Sequence, residues 1–357
     1  MSFFRENIEH MTGYVPGEQP RDGEFTKLNT NESPYPPSSR VLRAIRSAVN
    51  GDLRLYPDPT ATALREKVAE VYATRPERVL VGNGSDDLLT IIMRSFVAPR
   101  AVVAFPEPTY SLYPTLAAIE NARVRPVPYD PDFSLPEKLS RKGAAVTIVA
   151  NPNSPSGTAV EPKDIARLAR AVSGVLVVDE AYVDFADDDC MRLTARHKNI
   201  IVLRTFSKSF SLCGVRLGFA VADKALISGM IKVKDSYNVN RLAIRAGVAA
   251  LDDIAAMQRN VEKIKRTRAR LAKALDALGW LVYPSQSNFV FARVRPPHTA
   301  GGIFAELKRR RILVRFFDAP GLDDGLRITV GNAREIDTLL AALREICAPR
   351  AVERRRK

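Results

Sequence analysis

A chain of 357 residues has room for two packed domains, and 46% hydrophobic with 26% charged residues is the make-up of a globular protein, which excludes wholesale disorder. Three widely spaced cysteines (Cys190, Cys213, Cys347) and three scattered histidines exclude a disulfide framework and leave almost no material for a zinc site or a histidine-centred triad. A formal net charge of +14 suits nucleic acid or small anionic substrates, and the absence of any finger, RNP-like or helix-turn-helix signature disfavours nucleic acid.

The start, Met1-Ser2-Phe3-Phe4-Arg5-Glu6-Asn7, lacks the basic opening and apolar run of a secretion signal. No stretch approaches the roughly 18 uninterrupted apolar residues of a membrane span, so a cytoplasmic protein without a membrane partner is expected. Residues 1–50, rich in Pro, Gly, Asn and Ser, read as an arm and an initial helix over 38–49. Residues 51–240 read as a large α/β domain. Its short apolar runs at 79–81, 101–105, 145–150, 174–178, 200–203 and 217–221 lack in/out alternation, as strands buried on both faces of a mostly parallel sheet do. Residues 241–357 read as a smaller α+β domain: one long helical pattern over 242–278, then mixed strands and helices ending at 333–346. Much of the positive charge lies over 259–273, where interleaved Val261, Ile264, Leu271 and Leu275 mark a solvated outer helix face. The rest lies in the tail, 350–357, which reads as a frayed end.

Ligands of open parallel sheets bind beyond the carboxyl ends of the strands, so the residues after each apolar run are the candidates. After 79–81 come Gly82-Asn83-Gly84-Ser85-Asp86-Asp87 and a helical run, a helix start whose free N–H groups form an anion cup. Alone, this motif is more often an ordinary capped helix. Tyr110, after the next strand, has the shape to lie over an aromatic ring, and the turn Asn151-Pro152-Asn153-Ser154-Pro155-Ser156-Gly157 carries an amide within reach of a ring hydroxyl. Asp179 ends a buried strand, where its charge is costly unless a cation answers it; the plainer alternative is a cap on the following turn. After 200–203 comes Arg204-Thr205-Phe206-Ser207-Lys208-Ser209-Phe210. Here an amine nucleophile stands between two phenylalanines and among hydroxyls, with Arg216 eight residues on. A lysine condenses with an aldehyde, and Thr205, Ser207 and Arg216 suit a phosphate.

Taken in order, PNSPSG, VVDEAYVDF, TFSKSFSLCGVRLGF and LRITVG resemble the fold-type I pyridoxal-phosphate enzymes of the class I/II aminotransferases, and most narrowly the histidinol-phosphate aminotransferases, over essentially the whole chain. The resemblance implies a mostly parallel large sheet with a smaller α+β domain, pyridoxal 5′-phosphate as cofactor, and a homodimer with shared active sites. Lys208 is then the lysine that carries the cofactor as a Schiff base and shuttles the proton; Asp179 pairs with the ring nitrogen and Tyr182 with the ring hydroxyl oxygen. Gly84, Ser85, Asp86, Thr205, Ser207 and Arg216 bind the phosphate, Tyr110 stacks on the ring, and Tyr56 reaches the partner's cofactor phosphate. The family's turn reads PNNPTG, so the ring-hydroxyl asparagine is replaced here by Ser154 or its place is taken by Asn153. Tyr14, Asn31, Arg315 and Arg327 are the implied substrate residues. Arginine meets a carboxylate or phosphate with a planar fork, so one pocket serves both histidinol phosphate and 2-oxoglutarate. Three alternatives share the fold: an aromatic or other amino-acid aminotransferase, a threonine-phosphate decarboxylase-like lyase, and a regulator built on an aminotransferase domain. The arm is too short to hold the DNA-binding module of the last.

Overall fold

The computed structural model describes residues 2–20 and 23–348, so the basic tail over 350–357 lies outside the described residues. Its strands are β1 (Thr26–Lys27), β2 (Val79–Gly82), β3 (Val102–Glu107), β4 (Arg123–Pro128), β5 (Ala144–Ala150), β6 (Val175–Asp179), β7 (Ile200–Thr205), β8 (Gly218–Ala222), β9 (Leu281–Val282), β10 (Phe289–Arg293), β11 (Ile312–Leu313), β12 (Arg315–Phe316) and β13 (Gly325–Thr329). Seven form one sheet in the order β2-β8-β7-β6-β5-β3-β4. Only β8 runs against its neighbours, antiparallel to both β2 and β7. β2, β6, β7 and β8 are buried at every residue, as a sheet covered on both faces demands.

The register decides which side chains meet. Ala150 lies opposite Asp179 and Asp179 opposite Leu203, while Thr205 and Gly82 both lie opposite Gly218. The exits of β5, β6 and β7 and the entry to β8 therefore share one edge. Gly218 is required there: a Cβ would sit 2.9 Å from both the Arg204 carbonyl oxygen and the Ser85 nitrogen, the latter at the start of the helix Ser85–Phe96.

All six apolar runs lie on strands of this sheet. The seventh strand, β4, was not expected from the sequence. It is an edge strand of sequence RVRPVP, mostly exposed, so it has neither an apolar run nor full burial, and its prolines are tolerated where one side of the ladder is open. The single helical pattern expected over 242–278 is two helices, Arg241–Leu251 and Ile254–Ala277, broken at Asp252-Asp253. The first packs Ala243, Ala246 and Leu251 into the core of the large sheet, against the helices Ser39–Ala48 and Thr62–Val71; the second packs Val261, Ile264, Leu271 and Leu275 into a different core. Both halves are amphipathic, so periodicity continues across the break while the partner changes.

That second core lies on a four-stranded antiparallel sheet, β12-β13-β10-β9, covered by Ile254–Ala277, Ala300–Arg309 and Ala333–Ile346. The last helix begins with a capping box, Asn332 and Glu335 each accepting the other's backbone N–H. The arm joins this region through β1, which pairs in parallel with β11. Arg315 and Arg327 face each other across the β12–β13 ladder.

Candidate active site

At the common edge of the large sheet the chain builds an anion cradle. Gly84, at φ +90°, precedes the helix Ser85–Phe96, and the Arg216 guanidinium lies so close that a Cβ on Gly84 would be 2.7 Å from its Nη2. Arg216 donates to the Ser207 hydroxyl at 3.2 Å and to Asp86 at 3.3 Å. Thr205 donates to Ser207 at 3.0 Å, and Tyr110 donates to the other Asp86 oxygen at 3.3 Å. Gly84, Ser85, Asp86, Tyr110, Thr205, Ser207 and Arg216 are thus one cluster. The N–H groups of a helix start, a guanidinium and two hydroxyls are what a dianionic phosphate needs.

Asp179 stands beneath this cradle at the end of β6, 5% exposed. One oxygen accepts from the Tyr113 hydroxyl at 2.8 Å and the other from the Ala181 N–H at 3.2 Å. Burial pushes its carboxyl up to about 6, against the pull of those two hydrogen bonds and of the Lys208 charge. No cation forms an ion pair with it among the described residues. A protonated ring nitrogen would answer that charge, so the site fits a cationic heteroaromatic ring with an anionic arm. Tyr113 was not singled out in the sequence. It lies three residues after Tyr110, and the two rings meet edge to face with centroids 5.5 Å apart, a spacing that could have flagged it.

Lys208 lies on the turn between β7 and β8, its Nζ 3.5 Å from the Thr30 carbonyl oxygen and 5.5 Å from the centre of the Tyr182 ring. The Tyr182 hydroxyl accepts from Asn31 Nδ2 at 2.9 Å. Asn31 is 1% exposed, and its amide is engaged by Tyr182 and Thr329 within the protein rather than pointing into open space.

Arg327 reaches across from β13. It donates to the Ser154 hydroxyl and to the Asn29 carbonyl oxygen, both at 3.0 Å, while its Nε is buried without a partner. Burial, and Arg315 beside it, draw its pKa below the usual arginine value. Arg315 holds the arm loosely, 3.5 Å from the carbonyl oxygens of Val15 and Pro16. That arm brings Tyr14 edge-on to Tyr110, centroids 5.8 Å apart. Asn153 is fully engaged: its amide nitrogen donates to the Pro108 carbonyl oxygen and to Ser156, and its oxygen accepts from Thr109. Ser154 is the member of that turn that faces Arg327.

Tyr56 is not joined to this cluster within one chain. It is 78% exposed and stacks on Tyr237, centroids 4.5 Å apart. Among the described residues no group of His, Cys, Asp and Glu stands where it could hold a metal ion.

A mostly parallel sheet with an amine, a buried carboxylate and an anion cradle at its edge, faced by arginines from a small antiparallel sheet, is the architecture of the fold-type I transferases. Residues 23–343 match the family model of aminotransferase class I and II, and the chain belongs to that family of enzymes. It is 44% identical to histidinol-phosphate aminotransferase 1 of Nostoc sp. over 351 residues, 98% of this chain and 99% of that protein. The histidinol-phosphate aminotransferase of Syntrophotalea carbinolica is 45% identical over 348 residues, 97% of this chain and 100% of that protein. Among solved structures, the histidinol-phosphate aminotransferase of Sinorhizobium meliloti in complex with pyridoxal-5′-phosphate superposes with a TM-score of 0.87 at 27% identity, covering 97% of this chain and 98% of that one.

Proposed function

We propose that this chain transfers the amino group between histidinol phosphate and 2-oxoglutarate, giving imidazole-acetol phosphate and glutamate in histidine biosynthesis, with pyridoxal 5′-phosphate as cofactor. The observation that carries the reading is one cleft with two anion-binding ends: the Arg216 cradle on the large sheet and the Arg315–Arg327 pair on the small one. The full-length likeness to relatives of that name supports the substrate.

When bound, pyridoxal phosphate supplies an electron sink for charge developing on the substrate carbon. Lys208 supplies the amine that holds the cofactor and, once released, carries the proton between substrate carbon and cofactor carbon. Asp179 keeps the ring nitrogen protonated. Tyr113 and the Ala181 N–H each engage one of its oxygens, which fixes the plane of the carboxylate. Gly84, Ser85, Thr205, Ser207 and Arg216 hold the phosphate, Tyr110 covers one ring face, and Tyr182 donates to the ring hydroxyl oxygen. We assign the second contact to that oxygen to Ser154, since the Asn153 amide is spent on Pro108, Ser156 and Thr109. Arg327, with Arg315, takes the phosphate of one substrate and a carboxylate of the other. Tyr14 closes the mouth.

The same reading makes the enzyme a cytoplasmic homodimer. No helix among the described residues is long and apolar enough to cross a membrane. Exposed Leu53, Leu55, Tyr56 and Tyr237 lie together in sequence or by stacking, an apolar patch suited to a second copy, from which Tyr56 reaches the partner's cofactor phosphate.

The test offers each amine with 2-oxoglutarate and measures glutamate. Losing a charged contact is worth about 1.5–3 kcal/mol, so kcat/KM for histidinol phosphate exceeds that for histidinol or phenylalanine at least roughly tenfold. Comparable values would leave an aminotransferase of other amino acids. Release of CO2 from threonine phosphate without 2-oxoglutarate would replace the reading by a lyase.

A further inference from the structure

Asn31 holds a left-handed conformation, φ +56°, with a side chain 1% exposed. Its backbone N–H donates to the Thr329 hydroxyl oxygen at 2.9 Å, its Oδ1 lies 3.0 Å from the same hydroxyl, and its Nδ2 lies 2.9 Å from the Tyr182 hydroxyl. The backbone end of this chain has only one possible direction, because an amide N–H can only donate. The Thr329 oxygen therefore accepts there and spends its single hydrogen on Asn31 Oδ1. That sets the amide with Nδ2 toward Tyr182, and Nδ2 also can only donate. The Tyr182 oxygen consequently accepts from Asn31, and its own hydrogen points elsewhere. Turning the amide over would leave the buried Thr329 hydrogen without an acceptor, a cost comparable to a lost hydrogen bond.

We infer that Thr329 and Asn31 are positioning residues that make Tyr182 an obligatory hydrogen-bond donor toward the cofactor's ring oxygen. The inference rests on the proposed role of Tyr182. Asn31 is locked from a second side, its carbonyl oxygen accepting from Asn288 Nδ2 at 3.0 Å, and Asn288 is fully buried. Thr329 lies two residues after Arg327 on β13, so both side chains leave the same face of the strand. The substrate-binding arginine and the polarity of Tyr182 thus share one rigid element. Lys208, Arg327 and Tyr110 are charged or titratable groups close to Tyr182, and the variants below leave all three in place.

A hydrogen bond donated to the ring oxygen favours the form in which that oxygen's negative charge is not already balanced by a proton on the nitrogen that joins the cofactor to Lys208. Losing the donor therefore raises the pH midpoint of the bound cofactor's visible absorbance. The experiment titrates that absorbance in the holoenzyme and in the Tyr182→Phe, Thr329→Val, Thr329→Ser and Asn31→Asp forms. Tyr182→Phe is expected to raise the midpoint by about one pH unit or more, and Thr329→Val to raise it in the same direction. Thr329→Ser keeps the hydroxyl and stays near wild type. Asn31→Asp offers an acceptor to Tyr182 in place of a donor, draws the tyrosine hydrogen away from the ring, and raises the midpoint as well; it carries the test if Thr329→Val does not fold. A raised midpoint in Tyr182→Phe with unmoved midpoints in Thr329→Val and Asn31→Asp overturns the relay alone. An unmoved midpoint in Tyr182→Phe overturns the relay together with the role of Tyr182.

Discussion

At the scale of single residues, the site is organised around a carboxylate whose surroundings penalise its charge. The Asp179 carboxyl is held up at about 6, above its ordinary value of 3.8, chiefly by burial. Between those two values the folded apoenzyme binds a proton that the unfolded chain has released, so stability falls as pH rises through this window and the whole penalty is present above about pH 6. A window of that width corresponds to about 3 kcal/mol. Asp179→Asn should accordingly raise the melting temperature of the apoenzyme at pH 8 and leave it unchanged near pH 4, while slowing single-turnover proton transfer in the holoenzyme by orders of magnitude. Calorimetry of cofactor-free protein at the two pH values checks the first part, and near-normal single-turnover kinetics would dispose of the second. Lys208→Ala is expected to abolish turnover and the borohydride-reducible cofactor link, and a reduced cofactor mapped to any other lysine would refute that role. The sequence offered Asp179 as a candidate because it follows an apolar run directly, and Lys208 because it lies five residues past one, between two phenylalanines. Tyr113 stayed hidden because a tyrosine near the start of a helix looks like ordinary core until its hydroxyl is seen on Asp179.

At the scale of elements, the exits of β6 and β7 are tied together behind the site by a buried ion cluster. Arg204 donates to Glu180 at 2.7 Å and to Asp184 at 3.3 Å, and Ser209, the neighbour of Lys208, donates to the other Asp184 oxygen. Glu180 and Arg204 are 1% and 5% exposed, so neither charge has water to fall back on. Replacing Arg204 by methionine keeps volume but strands the Glu180 carboxylate, a loss of about 3–5 kcal/mol that urea unfolding would register. A cost below about 1 kcal/mol would mean that the cluster is already solvated. Elements were readable from the sequence where one environment covers the whole element, as for the six buried strands. They were unreadable where an element changes partner, as at Asp252-Asp253, or lies at an edge, as β4 does. The alternation of burial that separates such cases is a property of neighbours far along the chain.

At the scale of the whole molecule, the proposed homodimer makes a prediction that no single chain can meet. A Lys208→Ala chain and a Tyr56 variant, each weakly active or inactive, should recover activity on mixing, since a hybrid dimer contains one site with its own lysine and the partner's unmodified tyrosine. Absence of recovery at protein concentrations where sedimentation shows dimers would mean self-contained sites. The pairing is proposed from resemblance alone, because an exposed tyrosine carries no signature of the surface it will meet.

The reversed direction of β8 has a consequence for how the site comes into being. Because β8 returns beside β7, Lys208 and Arg216 arrive within one loop of 12 residues, 206–217, whose closure costs roughly (3/2)RT ln n, about 2 kcal/mol. The contact of Arg216 with Asp86 spans 130 residues but stays within the large-sheet domain, whereas the contact between Arg327 and Ser154 spans 173 residues and must wait for both cores. The two ends of the cleft are therefore assembled on different clocks. A chain refolding from urea should regain its grip on the phosphate of an added cofactor before it can tell histidinol phosphate from histidinol, an order that stopped-flow absorbance and a delayed activity assay would read separately.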